Sequence, residues 1–385
     1  MNDLPNEWKW KKLGDMCEIK KGNSITKEKI TPGTIPVIAG GQQPAYYHNL
    51  SNRTGKTITI SASGAYAGFV NFFEIPLFAS DCTTIKSLDE KKISTKYIYL
   101  ILKHFQKKIY ALQTGAGQPH VYAKDLSKLD IPIPPLSVQK QIVAILERAE
   151  SLKQKREETN KETNKIVQSI FYEMFGDPIK NNKNWTKFKL VDILKEDKNI
   201  VGGPFGSNLK VIDYRDNGIP IMRLQNIKRR EFKDKDIKFI SKEKAEELKY
   251  HSFKSGDIIL AKLGSELGIC CIVPEKYKYG IVVGDVIRIR IPENTCNKEY
   301  LLSFLNSKSV ENLLNGKIVG ATRPRVNLED IRKILIPTPP LKLQNDFAKV
   351  IEKIDLIKQK QIESTKEINK LFSALMKKAF VGELI

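Results

Sequence analysis

The sequence predicts an α+β protein built from two related β-rich modules, each followed by one long helix. Three observations predict it. Gly115-Ala116-Gly117-Gln118-Pro119-His120-Val121 recurs as Gly320-Ala321-Thr322-Arg323-Pro324-Arg325-Val326. Ile131-Pro132-Ile133-Pro134-Pro135-Leu136-Ser137-Val138-Gln139 recurs as Ile336-Pro337-Thr338-Pro339-Pro340-Leu341-Lys342-Leu343-Gln344. The match then runs without a gap, through Lys153-Gln154-Lys155 against Lys358-Gln359-Lys360, to Phe175 against Phe380. Two copies of a unit of about 60 residues are too long and too few for a solenoid. They read as a duplicated domain plus helix, with approximate two-fold symmetry, and such symmetry is how proteins address two-part DNA sites.

The β-rich parts repeat more loosely. Trp8 to Asp15 lines up with Trp185 to Asp192, Gly64 and Gly68 with Gly264 and Gly268, and Asp81 with Asp285. The growing spacing places inserted residues in the second copy, mostly before Gly264. A shared scaffold with divergent loops suits two modules that read different things.

Residues 1–138 contain short strand-like runs, Thr57-Ile58-Thr59-Ile60 and Phe69-Val70-Asn71-Phe72-Phe73, punctuated by Gly and Pro, and a helical stretch around Lys96–Tyr110. The Pro132, Pro134 and Pro135 cluster breaks the chain before a helix starting near Ser137. Over 139–176, Ile142, Ile145, Ala149, Leu152, Ile166 and Ile170 fall on alternating three- and four-residue steps, a coiled-coil seam. Its middle is polar, with Arg156, Thr159 and Thr163. Residues 177–338 form the second module, with strands at Ile258–Leu260, Ile269–Val273 and Val286–Arg290 and a short helix at Ser241–Tyr250. From 339 to 385 a second seam runs through Phe347, Val350, Ile354 and Ile357, then Gln361 and Ser364, then Ile368, Leu371 and Leu375. Both seams soften at the same place, so the helices meet there. A register-fixing polar pair and a solvent-exposed break fit this softening equally. Each helix of about 37 residues is ~55 Å long, a rigid spacer longer than one turn of DNA.

At 385 residues the chain holds two ordinary domains, each able to bury a core. Lys and Arg number 65 against 44 Asp and Glu, a net charge of +21. The helices nearly balance, seven basic against six acidic side chains over 139–176 and eight against five over 343–379. The excess therefore sits on the modules, where a polyanion would be read. Five cysteines (Cys17, Cys82, Cys270, Cys271, Cys296) form neither a disulfide framework nor a metal pattern, and read as buried thiols in a reducing cytoplasm. The N-terminus is polar and acidic, unlike a signal peptide, and no apolar run is long enough to span a membrane.

Catalytic patterns do not emerge. A methyltransferase acting on adenine needs a glycine-rich cofactor loop and an Asn-Pro-Pro-aromatic type of loop, whereas Pro134-Pro135 and Pro339-Pro340 precede Leu at a helix entrance. Gly55-Lys56-Thr57 mimics a phosphate loop, but Leu50 stands where its first Gly belongs. His48, His104, His120 and His251 are scattered, and Glu18-Ile19-Lys20 lacks a partner acid for a nuclease. Binding surfaces remain. Gln118, His120 and Tyr122, with their counterparts Arg323, Arg325 and Asn327, sit beside glycines before the Pro-Pro turn. Arg, Asn and Gln read base edges bidentately. Arg223, Gln225, Arg229, Arg230, Lys262 and Ser265 make a second cluster, and Tyr46, Tyr47, Arg53 and Tyr66 mix aromatic and basic character in the first module. Any one of these equally fits a phosphate contact or plain exposure.

The paired Gly-Ala-x-x-Pro-x-Val and Ile-Pro-x-Pro-Pro-Leu-x-x-Gln motifs, each leading into a long helix, resemble the specificity (DNA-recognition) subunit of type I restriction–modification systems. Phe175-Gly176-Asp177-Pro178 followed by Trp185 looks like the junction into its second domain, and Gly218-Ile219-Pro220 through Gly256-Asp257-Ile258-Ile259-Leu260 like a recognition-domain core. The resemblance spans the whole chain. It implies an α+β fold of two pseudo-symmetric target-recognition domains, 1–138 and 177–338. Two long helices, a central spacer at 139–176 and a C-terminal spacer at 339–385, would separate them as an antiparallel coiled coil. It implies a non-catalytic subunit whose domains each read half of a bipartite double-stranded DNA site. Its partners would be two methyltransferase (modification) subunits and restriction (translocase/nuclease) subunits. S-adenosylmethionine, ATP and Mg would belong to those partners, with no cofactor in this chain. Where members carry a further C-terminal segment, this chain ends at Ile385. Two other classes compete: a coiled-coil adaptor with incidental basic charge, and a self-contained restriction–modification enzyme, which the missing motifs disfavour.

Overall fold

The computed structural model describes residues 4–115, 117–264, 267–316 and 325–385. The chain divides into two compact units, Met1–Glu157 with Ile362–Ile385, and Glu158–Gln361. Each contains one β-rich module and half of each long helix.

The first unit is built on a four-stranded antiparallel sheet ordered Cys17–Lys21, Cys82–Ser87, Thr57–Ser61, Val70–Phe73. Thr57–Ser61 is buried along its whole length, as a central strand covered on both faces must be. A smaller sheet pairs Ile35–Ile38 antiparallel with Tyr46–His48 and parallel with Phe78–Ala79. The helical stretch predicted over Lys96–Tyr110 forms as two pieces, Thr95–His104 and Gln106–Tyr110.

The second unit repeats this plan. Its first sheet runs Ile200–Gly202, Val286–Ile289, Ile258–Ala261, Cys270–Ile272. Its second pairs Ile219–Met222 antiparallel with Lys238–Ile240 and parallel with Tyr279–Val282. The extra residues expected before Gly264 take shape as the hairpin Ile227–Lys228 with Glu231–Phe232, the helix Lys242–Glu247 and the strand Ser252–Lys254. Ser241 caps that helix by accepting from Lys244 N–H.

The long helices are Leu136–Phe175 (40 residues) and Leu341–Ala379 (39 residues). The glutamine of the repeated motif explains how each begins. Gln139, fully buried, accepts from Ser94 N–H at 2.9 Å and donates to Pro134 O at 2.9 Å. Gln344 accepts from Asn297 N–H at 2.8 Å and donates to Pro339 O at 2.7 Å. A buried amide satisfied at both ends clamps each helix start to its module. A buried tyrosine completes each clamp: Tyr97 Oη donates to Pro132 O at 2.7 Å and Tyr300 Oη to Pro337 O at 2.5 Å. The repeated phenylalanine explains how each helix ends. Phe175 lies 4.8 Å, ring to ring, from Tyr300 and 5.3 Å from Phe347. Phe380 lies 5.8 Å from Tyr97. Burying such a side chain stabilises by ~1.5–3 kcal/mol.

Within each unit the helix halves run antiparallel. In the first, Ile142 and Leu146 share a core with Met376 and Ala379, while Lys153 Nζ lies over the Phe372 ring. In the second, Thr163 accepts from Gln361 Nε2 at 3.0 Å, and Phe171 and Phe175 meet Phe347. The softened middle thus contains a hydrogen-bonded polar pair, of the kind that fixes register.

Ile142, Phe347 and Ile354 of the expected seam are buried, while its alternate positions shift by one residue. Ile145, Leu152, Ile166, Val350, Ile357 and Leu371 are 36–59% exposed. The inward row lies one residue later, at Leu146, Lys153, Val167, Ile351 and Phe372. Apolar residues occupy both positions of several turns, so the apolar stripe is wider than one helix contact. At those alternate positions antiparallel packing selects the later residue and leaves the earlier one facing solvent.

Candidate nucleic-acid interface

The end of the recurrent segment, His120-Val121 in the first unit and Arg325-Val326 in the second, docks beside a glycine loop through backbone atoms. In the first, Val121 N–H donates to Ala62 O at 3.0 Å, Ala62 N–H to Asp81 O at 3.2 Å and Gly68 N–H to Ser61 O at 2.7 Å. Ser63 pairs with His120 across an isolated bridge. In the second, Val326 N–H donates to Lys262 O at 3.0 Å, Lys262 N–H to Asp285 O at 3.1 Å and Gly268 N–H to Ala261 O at 2.9 Å. Leu263 pairs with Arg325. Gly64 and Gly264 take φ of 82° and 118°, conformations that glycine reaches without steric cost. These bonds match one for one, and the side chains on them differ.

In the first unit the loop gathers predicted residues. Tyr66 and Tyr122 are exposed, and Gln118 is exposed beside half-buried His120. His120 stacks 6.0 Å from Tyr122, whose other neighbour is Lys124 Nζ at 5.7 Å from its ring centroid. Ser63 Oγ donates to Asp81 Oδ2. Tyr46 and Tyr47 are exposed on the strand of the smaller sheet. Arg53 is engaged inside the module, donating to Thr84 Oγ1, Asn52 O and Lys21 O, each at 2.8 Å.

In the second unit an open cleft of about 630 Å³ lies along the same frame, with Lys262, Asp285, Arg325 and Arg332 in its wall. Burial pushes the Lys262 ammonium below the ordinary lysine range; Asp285 opposes this shift and Arg325 adds to it. Asn327 is exposed at the start of the helix Leu328–Arg332. Arg223 reaches the cleft rim through Tyr214, its guanidinium 5.9 Å from that ring. Arg223 and Gln225 converge on Asp236, at 3.0 and 2.8 Å. Arg229 and Arg230 serve the scaffold. Arg229 donates to Asn306 O at 2.5 Å and Glu311 at 2.7 Å, and Arg230 to Ser303 Oγ at 2.6 Å and Glu299 at 2.7 Å. These bonds fasten the extra hairpin to the two helices beyond Lys298. Ser265 and Arg323 lie outside the described residues.

The cleft also holds groups that the sequence did not single out: Asp285 as an acceptor, Arg332, His251 and Phe205. His251 Nδ1 bonds Gly202 O at 2.7 Å. The Gly202-Gly203-Pro204-Phe205-Gly206 run, whose sequence does not recur in the first half, was the available signal. Ammonium, guanidinium and carboxylate groups along an open cleft suit phosphates and base edges. Among the described residues no cluster of metal-ligating side chains occurs, and no helix is long and apolar enough to cross a membrane.

A family model described as the type I restriction modification DNA specificity domain matches residues 5–165 and again 182–371. The chain belongs to that family. The two matches fall on the two repeats, so each module with its helix is one specificity domain. Among relatives, the Methanocaldococcus jannaschii type I restriction enzyme MjaVIII specificity subunit is 22% identical, over 99% of this chain and 94% of its own length. The Escherichia coli EcoKI specificity subunit is 24% identical, over 80% of this chain and 69% of its own. The S subunit of a type I restriction–modification system from M. genitalium superposes with a TM-score of 0.58 at 18% identity, covering 99% of this chain and 97% of that one. A chain solved in work on assembly and conformational transition of the type I R-M system gives 0.63, also at 18%, with both chains fully covered. At that identity the likeness shows a shared fold.

Proposed function

We propose that this chain is the DNA sequence-specificity subunit of a type I restriction–modification complex, a non-catalytic reader. Each specificity domain binds one half of a bipartite double-stranded site, and the helices set the gap between halves. One observation carries the reading: two loop frames that share a set of backbone bonds carry Ala62, Ser63 and His120 in one unit and Lys262, Leu263 and Arg325 in the other. A fixed frame with different side chains suits two readers of different sequences. The excess of +21 supports a polyanionic ligand.

The exposed helix rows support protein partners. Three repeat-related positions expose large apolar side chains in each unit, Ile145, Leu152 and Leu371 in the first and Val350, Ile357 and Ile166 in the second, with Ile362 added in the first and Leu341 and Leu356 in the second. Equivalent surfaces on equivalent units suit two copies of one methyltransferase subunit. Restriction (translocase/nuclease) subunits would join that core. S-adenosylmethionine, ATP and Mg belong to these partners, and the complex works in the cytoplasm. In domain terms, 1–138 and 177–338 read DNA, while 139–176 and 339–385 space and dock.

Adenine-methylation mapping tests this, in cells carrying the chain with its methyltransferase against cells lacking it. The expected outcome is a new split motif with a fixed internal gap. No new motif, despite a soluble complex, returns the chain to the adaptor class.

A further inference from the structure

Several apolar side chains of the second unit stand in solvent, among them Val211 and Ile212, but Phe205 alone of these three lines the cleft. Phe205 is 85% exposed, yet the loop that carries it is pinned at its root. A Cβ at Gly203 would sit 1.9 Å from Val283 O, so the backbone approaches the strand edge as only glycine permits. Gly203 N–H donates to Val286 O, and Asn208 N–H to Phe205 O, each at 2.9 Å, closing a turn around the ring. Buried Leu209 anchors the far side. The ring is therefore held in solvent on a fixed support.

Its surroundings select the partner. Lys262, Arg325 and Arg332 share the cleft wall with Phe205. An aromatic beside three cations suits a polyanion with an apolar interior, which describes stacked bases behind phosphates. The first unit supplies the contrast. Gly22 is pinned in the same way, its Cβ position 2.1 Å from Ser80 O and its N–H donating to Cys82 O at 2.8 Å. There the chain turns back: Asn23 N–H donates to Ala79 O at 2.9 Å, and Ile25 is half-buried. Residues 22–26 carry no aromatic side chain.

We infer that Phe205 is an apolar wedge that inserts at a base step of the half-site read by the second domain, unstacking a step whose counterpart the first domain leaves stacked. This rests on the specificity-subunit reading. Pyrimidine–purine steps open most easily, so the wedge adds a sequence preference at a position with no base-edge hydrogen bond.

The test uses the full chain assembled with its methyltransferase subunits, bound to the target duplex found by methylation mapping. The fluorescent adenine analogue aminopurine is placed in turn at positions of both half-sites. Emission should rise at one step of the second half-site, vanish there in Phe205→Ala and survive in Phe205→Leu. Target affinity should fall roughly tenfold in Phe205→Ala, within what removal of an aromatic–base stack costs. An adenine turned out for methylation brightens in every variant, and its indifference to residue 205 sets it apart. Specific binding without any Phe205-dependent emission overturns the wedge and leaves the specificity reading standing. Absence of specific binding overturns both. Loss of methyltransferase assembly in Phe205→Ala, seen by size-exclusion chromatography, gives the ring to a protein contact and also overturns the wedge.

Discussion

The loop frames of the two units differ in side chains and agree in bonds. Ala62 and Lys262 sit in the same backbone hydrogen bonds, as do His120 and Arg325 in the same isolated bridges. One frame therefore presents hydroxyl, imidazole and phenol groups, and the other a cleft with Lys262, Arg325 and Arg332 in its wall. The recurring positions of the motifs thus encode support, while the variable positions within and around them, such as His120 and Arg325, encode reading.

The largest effect should come from breaking the support. Gln344→Ala strands Asn297 N–H and Pro339 O in the interior, and Gln139→Ala strands Ser94 N–H and Pro134 O. Each change should destabilise its own unit by roughly 2–4 kcal/mol, read as a lower urea midpoint. If only one of them does so, the two supports are not equivalent. A middle effect separates the readers. Arg325→Ala should lower discrimination at one half-site by about 1–3 kcal/mol, and His120→Ala at the other by roughly 1 kcal/mol, measured against single-base variants of the target. Equal weakening on every DNA sequence would make Arg325 a phosphate contact.

The smallest effect concerns Lys262. Its ammonium is held below the ordinary lysine range by burial, so it loses its proton at lower pH than an exposed lysine. Bound DNA favours the charged form, and affinity should therefore fall as pH rises through that lowered value. Lys262→Arg should flatten this limb, because a guanidinium stays charged there. Lys262→Ala should reduce the salt slope by about 1. A slope equal to that of the parent would remove Lys262 from the contact.

What was legible followed from repetition. The two recurring segments stood out by their sequence, and Val121 and Val326 make the same backbone bond, as Gln139 and Gln344 make the same side-chain clamp. The helix seam was legible at Ile142, Phe347 and Ile354 but not at its alternate positions, since Ile145 and Leu146 are both apolar and only the partner helix chooses between them. Arg53, Arg229 and Arg230 read as surface cations because their acceptors, from Lys21 to Glu311, are distant in sequence. Phe205 was passed over because a phenylalanine inside a Gly-Pro turn reads as a turn and not as a tip.

The bonds that hold Lys262, Leu263 and Arg325 in place use only main-chain atoms, and those atoms are common to nearly every amino acid. Substitution there changes what the cleft offers without withdrawing what holds it up. Lineages of such proteins can therefore drift between targets through single codons without passing through unfolded intermediates. A library randomised at these three positions should yield mostly folded chains with many preferences, which makes this face of the second unit the place to redirect the protein.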